Sequence, residues 1–199
     1  ILAMLIAFIL VVIRLSKSRI AHWLVAAYVS YHRNVPTLIQ LMIWYFAIPT
    51  LLPDSVQDIL NNYDTEFIFS LMALGFCQGA YFSEDIRSGL RAIPAGQTEA
   101  ARAIGMGYLQ AMRLVILPQA IRNALPSLIN HTVLLFKNTS LAMVIGVAEL
   151  TYVTRDIENE TFRTFESYLV ASAGYLVFSL LLMGAGAMLA RRFQRAYQR

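Results

Sequence analysis

From Pro36 to Pro53 the sequence reads PTLIQLMIWYFAIPTLLP, eighteen residues without a charge. Few chains can carry such a run in water, and comparable runs recur at about Phe67–Tyr81 or beyond, Leu125–Val147 and Tyr168–Ala190. Roughly 20 apolar residues are needed to cross a bilayer as a helix. Only 14% of the residues are charged, against about a quarter in a soluble domain. The expectation is an all-α, polytopic membrane protein forming one transmembrane domain over residues 1–199.

The chain opens at Ile1 inside another apolar run, ILAMLIAFILVVI. It is too short for a full span, and neither a basic leader nor a cleavage site accompanies it. It is expected to be the tail of a first transmembrane helix, truncated here, whose start lies upstream. That makes five spans. Between the first two, Trp23, Tyr28 and Tyr31 mix with His32 and Arg33, which suits a helix lying at a membrane surface. Pro36 is expected in the first turn of the second span, and Pro49 is expected to bend its end. Gln40 and Trp44 would share a face. Ala171, Ala173, Gly174, Gly184 and Gly186 in the fifth span would let a neighbouring helix approach closely. Cys77, the single cysteine, reads as a buried small hydrophobe.

Charge sorts the connections. Of sixteen Lys and Arg residues, four lie in 14–34 (Arg14, Lys17, Arg19, Arg33), five in 84–122 and four in 191–199. Only Lys137, Arg155 and Arg163 lie elsewhere. The segments 54–66 and 149–166 are acidic, the second expected to hold a short helix. Cytoplasmic loops carry the basic excess, so the 95–118 loop and the C-terminus are expected in the cytoplasm, with the N-terminus outside. The net charge of +4 is not gathered into one stripe, which argues against nucleic acid as a partner.

The stretch Gln97–Pro126 is neither apolar enough to span nor acidic enough to lie outside. Thr98–Ile104 favours a helix, capped by Thr98 or Gln97 with Glu99 in its first turn, and ended by Gly105 and Gly107. A second helix from Tyr108 would place Leu109, Met112, Val115 and Ile116 on one side, and Leu117-Pro118 would return the chain to the bilayer. Ala100 and Ala103 give the protrusion a small-residue face that fits a groove on another protein. An amphipathic helix pair lying on the bilayer accounts for the same residues.

Glu99-Ala100-Ala101, then Gly105, Val115 and Leu117-Pro118, resembles the cytoplasmic signature of permease subunits of binding-protein-dependent ABC importers, with Val in place of the usual Ile. Arg33-Asn34-Val35-Pro36 with Leu38, Gln40 and Tyr45 is similar to the entry of the polar amino acid branch. Further landmarks are Gly79-Ala80-Tyr81 with Glu84 and Arg87, Pro94 with Gly96-Gln97, Lys137-Asn138-Thr139-Ser140-Leu141 and Gly146–Leu150. The resemblance implies a type I importer permease in a bacterial inner membrane, with a cytoplasmic coupling loop at about 95–118. It also implies a second permease, identical or homologous, two ATP-binding cassette subunits and an extracytoplasmic substrate-binding protein. Its coupling residues would be Glu99, Ala100, Ala101, Arg102, Ala103, Gly105, Leu117 and Pro118. The chain has no glycine-rich phosphate loop ending in Gly-Lys-Ser/Thr, so ATP and magnesium would belong to the partner ATPase. This chain is expected to be no enzyme and to need no cofactor or metal of its own.

Ionisable groups at bilayer depth are costly and face cavities or partners. On the resemblance, Lys137 is the candidate for an amino acid carboxylate, with Asn138, Thr139, Ser140 and His131 beside it on the substrate path. Pairing of Lys137 with a helix-end carbonyl, a phospholipid or the second permease stays open. Glu84 and Arg87, three apart on a helix, are expected to pair as a structural brace near the gate. The run 33–53 looks most like glutamate/aspartate permeases, and importers of histidine, arginine, lysine or glutamine share most landmarks. An ion-driven secondary transporter is a further class, but no pair of matching halves is visible.

Overall fold

Inside lipid every backbone amide must find its partner within the chain, which restricts uncharged runs to helices or closed barrels. The computed structural model describes residues 1–16 and 18–195, and among these no strand occurs. Lys17 and Arg199, counted above, lie outside the described residues. The elements are α1 Leu2–Leu15, α2 Arg19–Asn34, α3 Thr37–Met42, α4 Asp54–Leu60, α5 Thr65–Arg91, α6 Ala95–Ala103, α7 Tyr108–Ala111, α8 Leu117–Asn138, α9 Leu150–Thr161 and α10 Thr164–Arg195. The five expected spans correspond to α1, α3 with its continuation, α5, α8 with its continuation, and α10. The acidic 54–66 connection holds α4, and α9 is the short helix expected in the second acidic connection.

Packing gives each span a direction. Leu2 lies over Gly75, and Ala3 and Ile6 over Gly79, while Arg14 meets Glu84, so α1 and α5 run parallel. Trp44 stacks on Phe76 and Tyr45 reaches Glu66, so α3 runs antiparallel to α5. Gly89 faces Ala120 and Ala124 and Asp85 meets His131, which makes α8 antiparallel as well. Gly186 lies against Ile129 and Phe136 packs near Tyr175 and Phe178, so α10 opposes α8. The five spans therefore alternate in direction. Arg14, Arg33, Arg87, Arg91, Arg191 and Arg192 fall at one end of the bundle, and Glu66 and Glu149 at the other.

By length and composition, Tyr108–Ile145 and Thr164–Phe193 qualify as membrane spans, whereas Leu2–Leu15 and Thr37–Ala47 are apolar but shorter. α5 is long yet more polar because it is the central helix. It buries Ser70, Gln78, Ser83 and Asp85 alongside Phe69, Ala73, Leu74, Cys77 and Ala80. Polar groups are tolerated there because protein, not lipid, surrounds them. Only part of the small-residue stripe on α10 is used for close packing. Ala171 is buried and Gly186 touches Ile129, while Gly184 faces open space.

Two spans are interrupted in the same way. Residues Ile43–Ala47 and Met112–Ile116 form π turns. In each, the last donor is the residue before a proline: Ile48 N–H donates to Ile43 C=O, and Leu117 N–H to Met112 C=O. A proline ring collides with the carbonyl four residues back and offers it no hydrogen. Widening the preceding turn relieves that collision and keeps the amides paired. The expected bend at Pro49 is thus a π turn followed by a short 3₁₀ turn, Pro49–Leu51.

The α2–α3 corner is closed by side chains. Gln40, 1% exposed, donates from Nε2 to the carbonyls of His32 and Val35 at 3.1 and 2.7 Å. His32 Nδ1 donates to Gln40 Oε1 at 2.6 Å, an amide oxygen that can only accept. Two carbonyls at the end of α2, those of His32 and the cap residue Val35, are thereby satisfied.

Candidate functional site: the 95–118 element and the polar core beneath it

The helix expected from Thr98 begins earlier, at Ala95, directly after Pro94, and no side chain caps it. Gln97 and Thr98 are therefore inside α6, and Gln97 accepts a hydrogen bond from Gln119 at 3.2 Å instead. Glu99 sits one turn into α6, not in its first turn. Proline's fixed φ suits the entry to a helix, and this local restriction overrides the weaker capping preference.

The end of α6 is where the glycines placed it. Gly105 has φ +83°. Its N–H donates to Arg102 C=O at 2.9 Å, and Met106 N–H donates to Ala101 C=O at 3.0 Å. These two bonds form a Schellman closure, which calls for a left-handed residue where Gly105 stands. Ala101 faces inward at 3% exposed. Glu99, Ala100, Arg102, Ala103 and Gly105 all face outward, as do Ile104, Tyr108 and Leu109 at 73%, 61% and 80%. Leu109, expected on one side with Met112, Val115 and Ile116, is exposed, and the buried residues of this stretch are Ala111 and Ile116. Leu117 and Pro118 open α8. The fourth span is thus continuous with the protruding element and begins well before Leu125.

Behind this element an ion pair holds α5 to α1 and a hydrogen bond holds α5 to α8. Glu84 accepts from Arg14 Nη1 on Oε1 at 2.6 Å and from Arg87 Nε on Oε2 at 3.0 Å. The expected Glu84–Arg87 pair is present, and Arg14, seventy positions away, completes it. One residue along, Asp85 Oδ2 meets His131 Nδ1 at 2.6 Å, and Tyr81 packs on the His131 ring at 5.0 Å. Arg33 also approaches Tyr81, its guanidinium carbon 5.8 Å from the ring centre. Nothing in the sequence picked out Asp85 or Arg14, because both partners are remote in sequence.

His131 is accordingly tied to α5, apart from Lys137. Six residues further along α8 amount to about 9 Å of rise and a rotation of about 240°, so the two share no face. The Lys137 side chain is exposed, and its ammonium has no hydrogen-bond or ion-pair partner among the described residues. Thr139 donates its hydroxyl to Phe136 C=O and Ser140 donates to Lys137 C=O, each at 2.7 Å. Those hydroxyls keep only lone pairs for anything else. The segment Thr139–Ile145 tightens into a 3₁₀ helix and ends at Gly146, φ +96°. Among the described residues no cluster of His, Cys, Asp and Glu could hold a metal ion.

At the opposite end of the bundle, Glu149 caps α9 by accepting from Thr151 N and Tyr152 N at 2.9 and 2.8 Å. The same carboxylate accepts from the Tyr175 hydroxyl at 2.7 Å, which joins α9 to α10.

Comparison with known proteins agrees with this architecture. The probable amino-acid permease protein YxeN of Bacillus subtilis is 34% identical over 190 residues, 96% of this chain and 82% of that protein. The glutamate/aspartate import permease protein GltK of Escherichia coli is 35% identical over 174 residues, 86% of this chain and 76% of that one. Other relatives are named for octopine, nopaline, arginine and glutamine transport. A solved amino acid ABC transporter with histidines superposes with TM-score 0.84 at 31% identity, over 96% of this chain and 85% of that one. Residues 1–195 match the family described as binding-protein-dependent transport system inner membrane component. With that match and this fold, the chain belongs to the family of inner membrane components of binding-protein-dependent transport systems.

Proposed function

We propose that the chain is the permease subunit of an ATP-driven amino acid importer in a bacterial inner membrane. It would form the translocation pore with a second permease, and a pair of cytoplasmic ATPases would drive it. An extracytoplasmic binding protein delivers the cargo at the acidic end of the bundle. The basic end, with α6 and the C-terminus, faces the cytoplasm. ATP and magnesium are bound by the ATPase alone.

The observation that carries this reading is the build of the 95–118 element. α6 presents Glu99, Ala100, Arg102 and Ala103 outward, and its glycine closure stops it abruptly. It leads through α7 and one π turn straight into α8. A force applied to α6 by a closing partner reaches α8 across the hydrogen-bonded turn at 104–107, and α8 carries the His131–Asp85 hydrogen bond to α5. On the substrate path, Lys137 offers an ammonium to a carboxylate, Asn138 a donor, and the Thr139 and Ser140 lone pairs acceptors for an amino group. His131 acts there as the tether to Asp85. Glu84 and Arg87 brace the gate. The similarity of the 33–53 run to glutamate/aspartate permeases favours acidic amino acids as cargo.

The test is uptake into proteoliposomes containing the chain, its co-purified subunits and the binding protein. Glutamate uptake should require internal ATP and survive an ionophore; uptake that collapses with the ion gradient sinks the proposal. Gly105→Pro and Glu99→Lys should abolish ATP-driven uptake while leaving the protein in the membrane, and normal uptake by both removes the coupling role. Lys137→Met should lower glutamate uptake more than the yield of assembled complex.

A further inference from the structure

A cavity of about 430 Å³ opens where α1, α2 and α5 end together, lined by Val11, Arg14, Leu15, His22, Arg87, Leu90 and Arg91. It has two kinds of wall. Val11, Leu15 and Leu90 are aliphatic, and the remainder are cationic or titratable. The charge there is not internally balanced. Glu84 is shared by Arg14 and Arg87, so one carboxylate faces two guanidinium groups, and Arg91 adds a third. Arg91 is exposed and has no ion-pair or hydrogen-bond partner among the described residues. His22 donates from Nε2 to the Arg14 carbonyl at the end of α1, which fixes its ring at the cavity wall. Such an arrangement would be unfavourable unless an anion or bulk solvent offset the charge.

We infer that this cavity binds the phosphate group of an anionic phospholipid, with Arg91 as its free cationic contact and Val11, Leu15 and Leu90 lying along the start of the acyl chains. Guanidinium groups match phosphate oxygens with paired donors and are more weakly hydrated than ammonium groups, so they suit a phosphate at a partly apolar site. The depth is appropriate. α1 and α5 are parallel spans ending at this level, where headgroups lie, and basic pockets between transmembrane helices at that level take acidic headgroups. Free phosphate offers the same oxygens but has no use for the aliphatic wall, which is why the lipid is the source assigned here. The assignment holds whatever the cargo of the pore.

The experiment uses the full-length protein with its co-purifying subunits, reconstituted with spin-labelled phosphatidylglycerol or phosphatidylcholine. The parent should retain the anionic lipid preferentially. A basic residue near an anionic headgroup contributes a factor of about five, the equivalent of about 1 kcal/mol, so Arg91→Gln should reduce the preference about fivefold. Arg91→Lys should retain most of it. Arg113→Gln, which removes an exposed cation from the π turn before α8, should leave it unchanged. A parent with no preference, or an Arg91→Gln variant that keeps all of it, overturns the inference. In detergent, millimolar inorganic phosphate should not displace the retained lipid; displacement would assign the cavity to free phosphate and overturn the lipid source.

Discussion

Among the glycines in helices or at helix ends, the structure assigns Gly89, Gly105 and Gly96 different tolerances for a methyl group. At Gly89 an added Cβ would stand 2.4 Å from the Ala120 carbonyl oxygen, 2.8 Å from Ala124 Cβ and 2.9 Å from Ala124 N. Ordinary contact begins near 3.4 Å, so α5 and α8 would have to separate by about 1 Å. The obstructing atoms are mostly backbone and cannot rotate away. Overpacking of this kind costs about 1–3 kcal/mol, and for a chain of this size about 2 kcal/mol lowers the thermal midpoint by about 4–8 °C. At Gly105 nothing lies within 4 Å, but φ is +83°, and an alanine held in that conformation costs about 1 kcal/mol. At Gly96, inside α6, space is open and φ is ordinary, so alanine should be neutral or stabilising by up to about 1 kcal/mol. Thermal unfolding of the full-length protein in detergent should rank Gly96→Ala at or above the parent, Gly105→Ala below it and Gly89→Ala lowest. If Gly89→Ala melts with the parent, the close approach of α5 to α8 is wrong. If Gly105→Ala does so, the left-handed closure of α6 is wrong.

Two further outcomes follow from the polar contacts. Glu84→Gln should destabilise by about 1–3 kcal/mol, between the values for exposed and fully buried pairs, because it leaves Arg14 and Arg87 facing each other. Arg14→Met and Arg87→Met should each cost less, and equal midpoints for all three would contradict a shared carboxylate. Glu149→Ala removes the cap of α9 and the anchor of Tyr175, a loss of about 1 kcal/mol. Hydrogen exchange should accelerate across Leu150–Thr161 and not across α8; uniform exchange would show that the cap is dispensable.

The legibility of the chain followed the range of the forces involved. The uncharged runs were visible because hydropathy is a property of each residue, and the end of α6 because glycine announces a left-handed turn. The Glu84–Arg87 pair was visible because three residues bring side chains together on any helix. The start of α6 was misplaced because Pro94 acts through backbone geometry that outweighs the capping tendency of Thr98. The third span was expected from about Phe67 to Tyr81 or beyond, and α5 continues to Arg91. Its charges are tolerable only because Arg14 and His131 arrive from 70 and 46 residues away. No local pattern encodes such partners. The π turns were hidden for a related reason: each proline was visible, but the repair of its missing bond depends on how the preceding helix is held.

The π turn at Met112–Ile116 has a consequence for the chain's tolerance of insertions and deletions. A π turn is one residue longer than the α-helical path it replaces, and each residue advances an α-helix by about 100°. Deleting one residue from 112–116 would leave the hydrophobic character of the region almost untouched while rotating α8 about its axis relative to α6. Asn123, whose Nδ2 donates to the Gly89 carbonyl at 3.5 Å, would lose that bond, and His131 would swing away from Asp85. Substitutions in this stretch change only single side chains, whereas its length sets the phase between the protruding element and the core.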